Sequence, residues 1–503
     1  MQRREFLMMN IAAAIGPCGD PWTATTWPGD DHQPGPLQAG CAERDITPKA
    51  DSIKFHDSCK ARAAVFDDGA RRVALVGVDV IGVPRYLVLQ VREGIQKRCG
   101  IPPEAVLIGA SHTHSGGFLA RDGANRSEPV PQGANAFDGG PGYNEHVQAQ
   151  IIEAVAAADA AMGEARCGVG SGHEDRVAFN RRQRMRNGFS WTHAGKGNPD
   201  ILGYAGPTDP EVGVIGIWNK QDQLTGCIVN FACHATCGTG GASADWICYM
   251  ERAIRQVMGP EVVVVFLQGC CGDVTQVDNL SPNVREFGEP SARFVGGRVG
   301  LEAVKALISM QPGKMAPLDT RQTVLQIPYR VPSAEHVARA NAIVGGKVPN
   351  ATPTDLRFAR SLLNHAERLK ERPTEEVEVQ VIQVGPAVFI SNPSELFCQF
   401  GLDIKKGSPF PKTFPVELAN GSVGYVPTED ALGPHGGGYE TRLGVSRLEV
   451  AAGRKMVEAG LALVRQMNPG VVPEWPKEPS FDPKEGGIGN TPWSYGDVPP
   501  EVS

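Results

Sequence analysis

The 503-residue sequence contains no long block of one charge and no dense stripe of lysine and arginine. Charged residues make up 21% of the chain and the formal net charge is -7, so nucleic acid is not an expected partner. Beyond the first residues, no stretch approaches ~20 uninterrupted apolar residues, and the sequence therefore predicts no membrane-spanning helix. Aspartate-rich clusters that bridge paired metal ions are also missing, which argues against a two-metal phosphoesterase.

Cysteine is used sparingly, with twelve residues in the chain, and the spacing is not that of a small disulfide framework. Cys233 and Cys237 flank His234, a spacing that admits a thiolate zinc site. The apolar lead-in at 227–232 favours small buried thiols instead. Glycine and proline are abundant, with 60 and 40 residues, and they predict many turns between short elements rather than a helical bundle.

The amino-terminal segment Gln2-Arg3-Arg4-Glu5-Phe6-Leu7 resembles a twin-arginine export motif and precedes a weakly apolar stretch. We expect residues 1–38 to be an export signal and linker, which predicts a periplasmic or secreted protein. The alternative is a cytoplasmic protein whose basic start has no targeting role. Residues 39–468 are predicted to form one catalytic domain, and 469–503 read as a Pro-rich tail.

Short apolar runs alternate with helical patterns along the central part of the chain. Strands are predicted at 73–80, 105–110, 212–218, 226–233, 262–267 and 377–390, and helices at 85–99, 144–162, 334–371 and 451–467. The run at 262–267 is rich in β-branched residues, as in a strand buried on both faces. This order predicts an α/β (mixed α+β) fold, with one large domain of short strands and helices.

The pentapeptide Ser111-His112-Thr113-His114-Ser115 directly follows the predicted strand at 105–110. In an extended chain, side chains two residues apart point the same way, so His112 and His114 can face one point. Two imidazoles that converge at a strand end suit a zinc ion. The alternative is a pair of ordinary surface or hydrogen-bonded histidines.

Three more residues with metal-binding side chains follow apolar strands or lie in glycine-rich loops: His234, Glu395 and Tyr439. Each has a simpler explanation when taken alone. His234 would be a histidine at a strand end, Glu395 a helix-capping acid after Pro393, and Tyr439 an ordinary loop tyrosine.

Together these segments resemble the neutral (non-lysosomal) ceramidase family, in family order from about residue 40 to 450. Ser111 to Gly116 resembles the family's SHTHSGP signature, and Phe231-Ala232-Cys233-His234-Ala235-Thr236 its second histidine segment. Gly272-Asp273-Val274-Thr275 is similar to the GDVSPN segment. Asn392-Pro393-Ser394-Glu395 and Gly438-Tyr439-Glu440 resemble the stretches that hold an acidic and a tyrosine ligand.

The resemblance implies roles for individual residues. His112, His234, Glu395 and Tyr439 would hold one catalytic Zn²⁺, and His114 would lie beside the attacking water or the substrate oxygen. Asn180-Arg181 is similar to an Asn-Arg pair of the family, which makes Arg181 a candidate partner for the oxyanion. A zinc ion with two imidazoles and a carboxylate lowers the pKa of its bound water to about 7, and the resulting hydroxide attacks a carbonyl group.

The sequence also departs from the family. Thr275 replaces the serine of GDVSPN, and Gln276-Val277 replaces the Pro-Asn that follows. Thr275 keeps the hydroxyl group, but its methyl group stiffens χ1 and crowds the pocket, which favours attack by zinc-bound hydroxide over a serine-type acyl mechanism. We also expect the chain to lack the C-terminal β-sandwich of ceramidases.

The leading prediction is a zinc-dependent hydrolase of an amide (N-acyl) bond, with a small-molecule or lipid-like substrate. A long-chain sphingolipid is doubtful, because no amphipathic segment predicts a membrane-facing lip near the pocket. One alternative is an ester or lactone hydrolase for a soluble, carbohydrate-derived substrate. A second is a non-catalytic zinc-containing binding protein.

Overall fold

A computed structural model describes residues 35–49, 53–119, 137–282 and 286–475. The predicted export signal, apart from residues 35–38, and positions 476–503 of the predicted tail lie outside the described residues. The strands are β1 (Gln38–Asp45), β2 (Lys60–Asp67), β3 (Arg72–Val78), β4 (Val106–Ala110), β5 (Gly117–Phe118), β6 (Phe137–Asp138), β7 (Gly163–His173), β8 (Phe179–Asn180), β9 (Arg182–Met185), β10 (Ser190–Thr192), β11 (Ile201–Tyr204), β12 (Glu211–Asn219), β13 (Leu224–Phe231), β14 (Val263–Gln268), β15 (Val274–Thr275), β16 (Leu318–Pro328), β17 (Thr374–Val384), β18 (Ala387–Ser391), β19 (Glu395–Leu396), β20 (Lys412–Val416) and β21 (Tyr425–Val426). The α-helices are α1 (Arg85–Cys99), α2 (Tyr143–Ala160), α3 (Trp246–Met258), α4 (Glu289–Ser309), α5 (Ala334–Val344), α6 (Pro353–Glu371), α7 (Cys398–Gly407), α8 (Glu429–Leu432) and α9 (Ala452–Val464).

The largest sheet has eight strands in the order β14-β13-β12-β7-β1-β2-β3-β4. Its inner pairs are antiparallel, whereas the pairs at its two edges, β13 with β14 and β3 with β4, are parallel. Parallel neighbours need a crossover connection, and here α3 and α1 supply it. Each edge of the sheet is therefore a strand–helix–strand unit.

The sheet curls so that its two edges face each other. A Cβ atom on Gly77 of β3 would lie only 2.3 Å from the carbonyl oxygen of Phe266 on β14, so these strands approach as closely as glycine allows. A Cβ on Gly109 of β4 would lie 3.2 Å from the side chain of Leu267. An isolated parallel bridge joins Thr113 to Ala235 just beyond the strands. The curl brings the carboxyl ends of β4, β13 and β14 to one place.

A second sheet, in the order β16-β17-β18-β20, lies beside these strand ends. Its loops bond to the first sheet: Asn420 donates its backbone N–H to Ile108, and Glu417 donates its own to Gln268. After β18 the chain turns into β19, which pairs in parallel with β21 and opposes Glu395 to Tyr425. The second sheet thus delivers Glu395 to the point where the first sheet closes.

The mixed α/β class predicted from the sequence is confirmed, and so are most of the predicted elements. Helix α1 occupies the predicted range 85–99, and Val264 to Gln268 in β14 are fully buried as expected. The predicted helix at 334–371 is two helices, because Gly345 and Gly346 end α5 and the Thr352 capping box starts α6. The predicted strand at 377–390 is the hairpin β17–β18, which turns at Gly385 with φ +58°.

Within the described part of the chain, no helix is long and apolar enough to cross a bilayer.

Candidate metal centre

His112 lies directly after β4, buried and with its backbone in the left-handed region at φ +60°. Its Nδ1 atom lies 2.7 Å from the carbonyl oxygen of Ile81. Because a carbonyl oxygen only accepts hydrogen bonds, Nδ1 carries the proton and the lone pair of the ring is on Nε2. This Nε2 atom lies 3.3 Å from the Nε2 atom of half-buried His114.

His234 follows β13 and is fully buried. Its Nδ1 atom donates to the carbonyl oxygens of Cys271 at 2.7 Å and Val274 at 3.1 Å, which again leaves the lone pair on Nε2. That Nε2 atom is buried and has no hydrogen-bond partner. Burial, together with the positive charge of Arg181, lowers the pKa of His234 to about 3. The ring is therefore neutral, as a metal ligand must be.

Glu395 on β19 points its Oε2 atom at both rings, 3.3 Å from Nε2 of His112 and 3.4 Å from Nε2 of His234. This oxygen is also buried without a hydrogen-bond partner. Burial alone would raise the pKa of Glu395, and positive charge on His112 and His234 would lower it. With neutral rings, a bound cation is the group that would keep Glu395 ionised.

The spacing of these atoms fits a tetrahedral metal ion. Two lone pairs and a carboxylate oxygen repel one another unless a cation lies between them. Zinc ligands lie about 2.0–2.1 Å from the metal, which in a tetrahedron separates the ligand atoms by about 3.3 Å. The contacts of Glu395 have this length. The nitrogens of His112, His114 and His234 also lie within 4.8 Å of one another, so a third imidazole is within reach.

Tyr439 lies near this centre and contacts a second tyrosine, Tyr425. Its ring packs edge-on against Tyr425, with the ring centroids 5.6 Å apart, and its backbone N–H donates to Thr192. Tyr425 is strand-paired with Glu395. Burial, then the charge of Glu395, raises the pKa of Tyr425 well above its ordinary value. Tyr425, which the sequence analysis did not single out, is therefore directly beside the carboxylate.

Arg181 is held in a buried network next to these tyrosines. Its guanidinium group donates to Glu440 at 2.6 Å, and to the Gly272 carbonyl and the Tyr425 hydroxyl at 3.0 Å each. Burial disfavours its charge, but Tyr425 and Glu440 more than compensate and hold the pKa of Arg181 well above its ordinary value. The centre therefore has one fixed positive charge of its own.

Thr275 on β15 is buried and bonded to its neighbours. Its hydroxyl group lies 2.6 Å from the side-chain oxygen of Gln276 and 3.1 Å from the hydroxyl of Thr236. The preceding residue, Val274, accepts hydrogen bonds from His234. Thr275 therefore lies next to the segment that orients His234, and its own hydroxyl group is engaged with Gln276 and Thr236.

Comparisons with known proteins identify one group of relatives. No family model matches the sequence. A curated neutral ceramidase from Pseudomonas aeruginosa is 26% identical in an alignment of 318 residues that covers 57% of this chain and 44% of the relative. The matched segment thus spans less than half of that relative's length.

Two solved structures share the fold. One is a neutral ceramidase from Pseudomonas aeruginosa and the other a ceramidase complexed with C2. Each aligns with a TM-score of 0.62 at 19% identity, over 88% of this chain and 77% of the solved chain. The resemblance to neutral ceramidases is confirmed. The mixed α/β architecture described above is the fold of those ceramidase structures.

Two side chains at or near the centre carry no recognisable signal in the sequence. Tyr425 lies in the short apolar run at 423–426, which reads as an ordinary buried segment. Glu417, which is fully buried, accepts hydrogen bonds from the backbone N–H and the thiol of Cys271, the residue that orients His234. Both residues are recognised only through their neighbours in space.

Proposed function

We propose that this protein is a metal-dependent hydrolase that cleaves an acyl amide bond. The proposal is carried by the convergence of His112, His234 and Glu395 on one buried point, where Nε2 of His234 and Oε2 of Glu395 have no hydrogen-bond partner. The sequence similarity to a neutral ceramidase supports amide chemistry. The substrate of that relative is not thereby assigned to this chain.

Zinc is the ion proposed for this centre, because imidazole and carboxylate donors at this spacing suit it. His112, His234 and Glu395 would hold it. Tyr439 is the tyrosine implied by the family resemblance, whereas Tyr425 is the one strand-paired with Glu395. When bound, the ion would supply a Lewis acid that polarises the carbonyl group and lowers the pKa of water.

The protein's own groups supply the charge stabilisation and the proton transfers. Arg181 presents a fixed cation, which we assign to the oxygen of the reacting carbonyl group as negative charge develops on it. His114 is kept neutral, because burial and the nearby His112 and His234 hold its pKa well below its ordinary value. The neutral imidazole of His114 would accept a proton from the attacking water at its unprotonated ring nitrogen and return it to the leaving amine.

The test is a comparison of substrates with and without metal. Purified protein is assayed with N-acyl sphingosine, a short soluble N-acyl amide and a simple ester of the same acyl chain. The proposal expects amide hydrolysis that is lost on chelation and returns with Zn²⁺. Ester hydrolysis without amide hydrolysis would instead support the ester or lactone alternative, since the same groups can attack either carbonyl.

The His112→Ala variant provides the mutational test. Removing one of three ligands should lower both bound zinc and amide hydrolysis more than about 100-fold, while far-UV circular dichroism stays unchanged. His173→Ala, at a histidine on the exposed end of β7, is the matched control and should behave as the wild type. Absence of stoichiometric zinc from active protein would contradict the proposal.

A further inference from the structure

The left-handed conformation of His112 needs support from its surroundings. At φ +60° the Cβ atom of an L-residue crowds its own backbone, and such a conformation persists only where neighbouring contacts enforce it. In this conformation the ring donates to Ile81 and turns Nε2 toward Glu395. Whatever holds the segment 112–115 therefore also aims the His112 ligand atom.

The segment is held from one side by Ser243. The hydroxyl group of Thr113, between the two histidines, donates to the carbonyl oxygen of Ser243 at 2.8 Å. The backbone N–H of Ser243 donates in turn to the carbonyl oxygen of Ser115 at 2.9 Å. We call Thr113, Ser115 and Ser243 the Thr113 clasp. Thr113 and Ser243 are completely buried, so water does not replace these bonds.

Asp57 holds the Ser243 side of the Thr113 clasp in place. Its carboxylate accepts hydrogen bonds from the hydroxyl group of Ser243 and from the backbone N–H of Ala244, the latter at 2.9 Å. The Ser243 hydroxyl oxygen also accepts the backbone N–H of Asp245 at 2.8 Å. His56 adds a contact from its Nδ1 atom at 2.7 Å. A buried charged acceptor of this kind holds donors more firmly than a neutral one does.

We propose that Asp57 and Ser243 are positioning residues for the metal centre, acting through Thr113. They touch no ligand atom. They keep the segment 112–115 in the backbone conformation that places the Nε2 atom of His112 against Glu395. The inference rests on the proposed function, because it concerns how tightly the same centre holds its ion.

The experiment measures metal affinity rather than catalysis alone. Metal-stripped protein is titrated with Co²⁺, whose visible absorption spectrum reports the coordination geometry. Thr113→Val removes the hydroxyl group that bonds to Ser243 and Ser115. Ser243→Ala removes the hydroxyl group that bonds to Asp57 and Asp245. We expect the Co²⁺ dissociation constant to rise roughly 10-fold to 100-fold in both, with an altered visible band. Thr113→Ser keeps the hydroxyl group and should return both readouts close to wild type.

The matched control is Thr320→Val. Thr320 is also buried, and its hydroxyl group donates to a distant backbone carbonyl, that of Glu104, at 2.7 Å. This variant should lower the thermal midpoint but leave Co²⁺ affinity and the visible band unchanged. Equal weakening by Thr320→Val, or wild-type binding by both Thr113→Val and Ser243→Ala, would overturn the positioning role.

Failure of the proposed function gives a different result. If wild-type protein binds no Co²⁺, the metal centre itself is wrong and the clasp has nothing to position. If wild-type protein binds Co²⁺ and cleaves amides while the clasp variants match it, only the positioning role fails. Should Thr113→Val not fold, Ser243→Ala and Thr113→Ser decide the same question.

Discussion

At the scale of single residues, the centre depends on where each imidazole carries its proton. The backbone carbonyl oxygens of Ile81 and Cys271 accept hydrogen bonds from the Nδ1 atoms of His112 and His234 at 2.7 Å each. These backbone acceptors fix both tautomers without a charged partner. The Nε2 lone pairs are therefore present before any ion arrives.

The two tyrosines give a prediction that separates the family resemblance from the geometry. Tyr425 is strand-paired with Glu395, whereas Tyr439 packs its ring edge-on against Tyr425. If the hydroxyl group near the carboxylate contributes to the ion, Tyr425→Phe weakens zinc affinity about 10-fold and Tyr439→Phe changes it less. Zinc competition titrations of both variants give the order. Stronger loss in Tyr439→Phe would favour the ligand implied by the resemblance.

At the scale of helices and strands, the metal centre forms because the ends of several strands pack closely against one another. Gly272, in the loop after β14, lies against β19: a Cβ atom there would be 2.4 Å from the carbonyl oxygen of Glu395. That contact is with backbone, so it is not relieved by turning a side chain.

Gly272→Ala should therefore displace Glu395 and lower zinc affinity together with stability. Gly297→Ala is the control, since a Cβ atom on this half-buried glycine of α4 meets nothing within 4 Å. It should stabilise the protein by about 0.5–1 kcal/mol through helix propensity and leave zinc binding unchanged. Zinc titration and urea unfolding measure both effects. Unchanged zinc affinity in Gly272→Ala would show that the loop yields without moving Glu395.

Elements are also tied together by buried charge. Arg62 on β2 donates to Glu251 on α3 and to Asp79 at the end of β3, at 2.6 Å each. Burial would raise the pKa of Glu251, but Arg62, Lys60 and Arg255 outweigh it and lower this pKa from 4.5 to about 2. The ionised carboxylate therefore contributes stability on the order of 3 kcal/mol above pH 4.5, which is lost as the pH falls toward 2.

Glu251→Gln should accordingly be less stable than the wild type at pH 7. The difference between their free energies of unfolding should narrow as the pH falls from 4.5 to 2. Urea unfolding midpoints of both proteins across this range provide the measurement. Glu367→Gln, which removes an exposed ion pair with Lys370 on α6, is the control and should differ little from the wild type at any pH. A stability difference that stays constant with pH would exclude this link between the ionisation of Glu251 and folding.

At the scale of the whole molecule, the centre joins two sheets that are far apart in sequence. His112 and His234 follow strands of the first sheet, whereas Glu395 lies on β19, which follows β18 of the second sheet and pairs with β21. An ion held by all three therefore cross-links the sheets. Because the unfolded chain does not hold these residues together, binding stabilises the folded state.

We expect Zn²⁺ at 100 times its dissociation constant to stabilise the protein by about 2.7 kcal/mol over the chelated form. Differential scanning calorimetry should show a higher thermal midpoint with zinc, and the rise should vanish in His112→Ala. A rise of equal size in that variant would place the bound zinc elsewhere.

The sequence by itself determined most of the helices and strands and identified part of the metal centre. The β-branched run at 262–267 predicted β14, and the amphipathic pattern of residues 85–99 predicted α1. Both predictions hold because hydrophobic periodicity and residue propensity act over a few neighbouring residues. His112 and His234 were visible because each directly follows an apolar strand. The breaks inside 334–371 and 377–390 were missed, although Gly345, Gly346 and Gly385 mark them in the sequence.

Only the tertiary structure decided how these residues meet. The pairing of β19 with β21 put Tyr425 beside Glu395, and the curl of the large sheet set Ser243 against Thr113. Such contacts depend on which strand ends face each other, and that is set by non-local packing rather than by any local pattern. The sequence thus named most candidate ligands, whereas the fold supplied their spacing, their tautomers and their support.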